Sequence, residues 1–461
     1  MLRSLLTLSI LGLTLAACDS SDPDIEPPID ATQFRIEIEN VAQPFGVLKS
    51  GVFNTPVGAS APAPIFPGEV YEFSFTAGPN VTPGSGMRLS FATMFIQSND
   101  LFYTFPADGL ALYDASGNAR TGDVTSEILL YDAGTEVNEE PGVGTNQAPR
   151  QSGADTGGEE NGVLGRIEEG AADRAGFTYP NNADVIRVLL SHDGDTEFTV
   201  RIENVSTSST LATSTGSVAV PLSPGGWAVH VDAVDFFESG TAAPQWVEAI
   251  AEDGSPGPFA DAFTPLTGIT VPLSPGAVVV HEDAVDFFTS GQAASAGIEG
   301  IAEDGSPGAL VAALTGVQGV SSVAAFDTPT GASGPSPIGP GGSYTIEVEA
   351  EPGDRLSFAT MFIQSNDLFY TFSGDGLALF DASGAAVSGD VTSQVLLYDA
   401  GTEANQEPGV GLDQAPRQSG ADTGAEENGT LGRITDGASD RAGFTYPSTA
   451  DVIRVTVTPL N

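Results

Sequence analysis

The chain is 461 residues long, more than one ordinary core fills, so at least two cores are expected. Its 61 Asp and Glu against 15 Lys and Arg give a net charge of −46, which repels nucleic acid and anionic lipid surfaces and suits a saline, calcium-containing exterior. Phe and Val are too plentiful for a disordered acidic tail.

The N-terminus reads as an export signal. Arg3 supplies the positive start, Leu5 to Leu15 an apolar stretch too short to span a bilayer stably, and Leu15-Ala16-Ala17-Cys18 resembles a bacterial lipobox. Cys18 is the only cysteine, so an internal disulfide is excluded and thioether lipidation is the expected use. The expectation is therefore a signal peptide over 1–17, a lipid anchor on Cys18 that holds the protein to a membrane of the bacterial envelope or surface, and a Pro- and Asp-rich tether over 18–31.

Repetition dominates the rest. The segment from Leu89 to Phe105 recurs letter for letter from Leu356 to Phe372, and the likeness continues through "QAPRQSGADTG" (from Gln147 and Gln414), "DRAGFTYP" (from Asp173 and Asp440) and "ADVIRV" (from Ala183 and Ala450). Phe34 to Val41 likewise parallels Phe198 to Val205. Read linearly, these repeats give two modules in tandem, 32–192 and 196–461. The second then carries extra tandem units, 220–270 and 271–321, each running from "VPLSPG" to "AEDGSPG". Since the first module has the downstream strands without either unit, the units are expected to lie outside the cores.

In chain order, "FRIEIENV", "VYEFSF", "RLSFATMFI", "SEILLY", "VIRVLL" and "YTIEVEA" read as strands, short and rich in β-branched and aromatic residues. Both faces of Leu89 to Ile96 are largely apolar, which predicts a central strand covered on both sides. Only "GIEGIAEDG" and "PGALVAALTG" read as helical. The fold class is all-β: two antiparallel β-sandwich modules in tandem.

A family resemblance rests on several motifs in one order. His281, Phe288, Gly291, Ala294-Ser295 and Ala302-Glu303-Asp304-Gly305 are followed by Leu356 to Met361, Ser365-Asn366-Asp367 and Tyr398 to Glu403. Together they resemble the N-terminal spondin domain of extracellular matrix and bacterial secreted proteins. The resemblance implies a β-sandwich that binds one calcium ion, acts in adhesion or matrix attachment, and has no enzymatic activity.

Calcium takes six to eight oxygens at about 2.3–2.6 Å, which carboxylates on adjacent loops supply. In "YDAGTE" the Ala-Gly-Thr turn lets Asp132 and Glu136 face one point, and Asp399 and Glu403 do the same in the second copy. The family's third ligand, an Asp after the "LSFATM" strand, falls on Asp100 and Asp367. Family members often end the motif in Asp, where this chain has the longer Glu136 and Glu403. Alternatively, the Asp of the turn only caps its own backbone. A glycosidase pair, with carboxylates roughly 5 to 10 Å apart, would need a cleft that nothing in the sequence supplies.

His192, His230 and His281 stand singly on different segments, so they read as structural, without zinc partners. Arg150 and Arg417 are expected to pair with the abundant carboxylates. No nucleophile elbow or phosphate-cradling loop is present. The function expected is a non-enzymatic, calcium-dependent surface protein that binds a glycan or protein partner. A purely structural envelope lipoprotein is the first alternative and a carbohydrate-active enzyme the second.

Overall fold

The computed structural model describes residues 31–79 and 86–460. The expected signal peptide, Cys18 and nearly all of the tether lie outside the described residues. Among the described residues no helix is long and apolar enough to cross a membrane.

The chain is mostly β, in antiparallel sheets. Two bodies repeat one plan, a four-stranded sheet stacked on a seven-stranded one. In the first body, Val70–Thr76, Glu197–Asn204 and Ile186–Gly194 run side by side. They cover a sheet ordered Val47–Phe53, Leu222–Val231, Met87–Phe95, Leu101–Thr104, Leu129–Asp132, Gly165–Ile167. In the second body, Ser343–Ala350, Thr32–Asn40 and Ile453–Pro459 cover the sheet ordered Val320–Phe326, Leu273–Glu282, Asp354–Phe362, Leu368–Thr371, Leu396–Asp399, Gly432–Ile434.

This pairing differs from the linear division at 192/196. The strand Thr32–Asn40 belongs to the second body, and Glu197–Asn204 belongs to the first. Connectivity explains the exchange. Glu197–Asn204 follows Ile186–Gly194 through a tight turn, so it folds back on its neighbour at small loop-closure cost. The matching slot in the second body is then filled by Thr32–Asn40. Asn40 donates through Nδ2 to the carbonyls of Val271 (2.8 Å) and Ile338 (2.9 Å), as Asn204 does to Val220 and Ile65 (both 2.9 Å). The first body is thus a continuous insertion between the first strand of the second body and all the rest, and its own strand order is permuted.

The tandem units are also not peripheral. Leu222–Val231 lies between Val47–Phe53 and Met87–Phe95, and Leu273–Glu282 between Val320–Phe326 and Asp354–Phe362, so each body owns one unit. Leu222, Trp227 and Val229 pack inside the first sandwich with Phe91, Phe198 and Tyr71.

The central strands do have two covered faces. Phe91 and Leu101 point into the sandwich, while Ala92 and Phe102, one residue on, meet a helix pair on the other side. That pair is α1 (Gln245–Asp253) and α2 (Gly257–Phe263), whose Trp246, Ile250 and Phe259 are buried against the sheet. The second body has α3 (Ala296–Asp304) and α4 (Gly308–Leu314), the helices expected from sequence. In both bodies the "AEDG" motif is a helix end: Gly254 and Gly305 close α1 and α3 in the left-handed conformation.

Candidate metal centre

Asp100 ends the short link between Met87–Phe95 and Leu101–Thr104, and Leu101 is paired with Asp132 on the neighbouring strand. Sheet register therefore sets the two carboxylates side by side. The chain then turns at Gly134, where φ is +69° and an added Cβ would lie 2.7 Å from the Val163 nitrogen, so a side chain there is strained and crowded. The turn points its amides inward: Asp100 Oδ2 accepts from the backbone of Thr135 (2.8 Å) and Glu136 (3.1 Å). Asp132 Oδ1 accepts from Gly134 N (2.8 Å) and its Oδ2 from Asn138 Nδ2 (2.9 Å), so the turn-capping reading holds as well.

The third carboxylate of this group is Glu160, which sequence reasoning missed. A backbone bridge between Glu136 and Glu159 and the bond from Glu160 N to Thr135 O (2.7 Å) run the 159–162 segment along the turn. Carboxylate oxygens of Asp100, Asp132 and Glu160 all lie within 4.8 Å of one another. Arg174, from "DRAGFTYP", donates to Glu160 (2.9 Å) and lies 3.4 Å from Asp132. The second body repeats the arrangement with Asp367, Asp399, Glu427 and Arg441. A usable signal was present, since "EEN" and "DRAGFTYP" recur in both copies at matching distances from "YDAGTE".

Glu136 and Glu403 do not join these triads. Glu136 accepts from Gly157 N (2.7 Å) and Asn99 Nδ2 (3.2 Å), and groups with Asp155 and Glu252 of α1. Glu403 accepts from Gly424 N (2.8 Å) and Asn366 Nδ2 (3.4 Å), beside a group of Glu299, Glu303 and Asp422. Each carboxylate is instead held by a backbone amide of the loop that follows and by an asparagine of the loop that precedes.

The electrostatics are those of crowded, buried anions. Burial and the neighbouring Asp132 push the Asp100 carboxyl up to about 7, and burial with Asp399 does the same to Asp367. Asp132 is also raised, by burial, against the lowering effect of Arg174. Asp100 and Asp367 are fully buried, and the Oδ1 of each has no hydrogen-bond partner. Such an atom costs about 1–3 kcal/mol, more when charged.

The other sequence candidates are structural. His230 bonds Ser90 Oγ (3.0 Å) and the Val231 carbonyl (3.1 Å), His281 bonds Ser357 Oγ (2.9 Å) and the Glu282 carbonyl (3.0 Å), and His192 bonds the Asp195 carbonyl. The expected carboxylate pairing of Arg150 and Arg417 is replaced by neutral partners. Arg150 donates to Gly144 O, Gln97 Oε1 and Gln147 Oε1, and Arg417 to Gly411 O, Gln364 Oε1 and Gln414 Oε1. The "QAPRQ" loop curls back on itself, so its first glutamine reaches the guanidinium, and Gln97 or Gln364 meets it from the loop after the central strand.

In comparisons with known proteins, no family model matches the chain and no curated protein matches it.

Proposed function

We propose that each body binds one calcium ion, the first through Asp100, Asp132 and Glu160 and the second through Asp367, Asp399 and Glu427. The protein acts as a non-enzymatic adhesion or ligand-binding module, exported and held to the envelope through Cys18, with a glycan or protein as its partner. The observation that carries the metal reading is the unpartnered Oδ1 of Asp100 and of Asp367, each fully buried within an acidic triad. When all three carboxylates are ionised, one guanidinium leaves two uncompensated negative charges in each site, the charge of a divalent ion. Oxygen donors alone favour calcium or magnesium over softer metals, and the mixture of strand and loop donors suits calcium's tolerant geometry.

Calorimetric titration of the soluble part, carried to millimolar calcium, tests the metal reading. Two equivalents are expected for the wild type, one for Asp100→Asn and none for Asp100→Asn with Asp367→Asn. Two equivalents persisting in the double variant would sink this assignment. Binding to arrays of glycans and envelope proteins, with calcium or with chelator, tests the rest; sugar turnover would refute the non-enzymatic reading.

A further inference from the structure

Each acidic triad has one arginine against it, and the arginine has a place built for it. Arg174 Nη1 donates to Glu160 (2.9 Å) and lies 3.4 Å from Asp132 Oδ1, while Nη2 donates to the Val163 carbonyl. Arg441 repeats this with Glu427 (2.6 Å), Asp399 (3.4 Å) and the Thr430 carbonyl. The guanidinium thus engages two of the three carboxylates and leaves the buried Oδ1 of Asp100 or Asp367 without a partner.

Three glycines make the seat. A Cβ added at Gly134, Gly162 or Gly165 would come within 2.8, 2.7 or 3.0 Å of an Arg174 guanidinium nitrogen, and one at Gly401, Gly429 or Gly432 within 2.8, 2.6 or 3.1 Å of an Arg441 nitrogen. Gly134 belongs to the acidic turn and the other two to the stretch just after Glu160, so two separate stretches of backbone close on the guanidinium. A loose surface ion pair needs no such clearance. Arginine does not lose its proton in proteins, so the seat fixes a permanent positive charge beside the carboxylates.

We infer that Arg174 and Arg441 set the charge of the ion their sites accept, favouring a divalent over a trivalent cation. The inference rests on the metal reading above and deepens it. Without the guanidinium, an ionised triad carries three negative charges and suits a hard trivalent ion at least as well as calcium. The guanidinium cancels one of these charges and repels any ion held by the triad in proportion to the ion's charge. One extra unit of ionic charge about 4 Å from a cation weakens binding roughly fivefold even in a water-like dielectric. Each guanidinium is over a third exposed, so solvent screening keeps the effect near that figure.

The test uses the full chain carrying Cys18→Ser and measures its dissociation constants for calcium and for terbium(III) at one pH by titration calorimetry. Arg174→Gln with Arg441→Gln should shift the ratio of the two constants about fivefold toward terbium. Arg174→Lys with Arg441→Lys, which keeps the charge, should stay close to the parent ratio. A purely structural role would weaken both ions alike, and an unchanged ratio in the glutamine variant therefore overturns the inference. If that variant fails to fold, Gly162→Ala with Gly429→Ala displaces each guanidinium from its seat and should move the ratio in the same direction; no movement there overturns the inference too. A folded parent chain that binds neither ion would sink the metal reading itself and this inference with it, a result distinct from an unchanged ratio in variants that bind both.

Discussion

Lys49, the only lysine in the chain, forms an ion pair with Glu407, joining a strand of the first body to the loop that follows the acidic turn of the second. The matching glutamate of the first body, Glu140, instead accepts from the Ser214 hydroxyl (2.8 Å) in a hairpin of its own body. The same loop is therefore covered locally in one copy and by the neighbouring body in the other. Both Lys49 and Glu407 are about a third exposed, so Lys49→Ala should cost only about 0.2–1 kcal/mol. Chemical unfolding at low and high salt checks this: the deficit should shrink with salt, and a deficit of several kcal/mol would mean that the pair holds more than itself.

Phe34→Ala should destabilise the second body by about 3–5 kcal/mol, because it empties a fully buried position beside Phe380. Amide exchange should quicken in Ser343–Ala350 and Ile453–Pro459 and stay unchanged in Val70–Thr76. Faster exchange confined to Val70–Thr76 would restore the linear arrangement of modules.

Trp227→Ala should cost the first body about 3–5 kcal/mol. The indole is packed over Gly51, where even a Cβ would come within 2.8 Å of the ring, and stacks on Phe73 with centroids 5.2 Å apart. Deleting 220–270 should abolish cooperative unfolding of the first body, since an internal strand of its larger sheet goes with it, together with α1 and α2. A native-like transition in the deletion variant, measured by calorimetry, would contradict the register described above.

Glu136→Gln should leave the calcium stoichiometry at two, because its oxygens are engaged by Gly157 and Asn99 and not by the Asp100 triad. Glu160→Gln should weaken one of the two equivalents at least tenfold. A reversed pattern in calorimetry would return the third ligand to Glu136.

Burial pushes the Glu252 and Glu303 carboxyls up to about 8, from an ordinary value of 4.5. The folded chain then holds protons that the unfolded chain releases. This contribution to stability is complete below about 4.5 and is lost as pH rises through about 8. In chelator, the melting temperature should therefore fall between pH 5 and pH 8, and Glu252→Gln with Glu303→Gln should flatten that fall. A melting temperature rising over the same interval, with no change in the variant, would show that these groups are ionised in the fold.

The sequence by itself determined the local and duplicated features. Alternation of apolar residues marked the strands, two apolar faces marked Leu89 to Ile96 as central, and identical copies of "LLYDAGTE" marked where the acids gather. Sheet register then made Asp100 and Asp132 neighbours, as their places on either side of one strand pair required. Tertiary structure alone decided which copy of a repeated strand serves which body, because Phe34 to Val41 and Phe198 to Val205 carry nearly the same pattern. The tight turn before Glu197–Asn204 settled the matter by the small entropy of closing it. Tertiary structure also brought Glu160 to the site and took Glu136 away, since Gly157 and Asn99, from two separate loops, converge to hold its carboxylate.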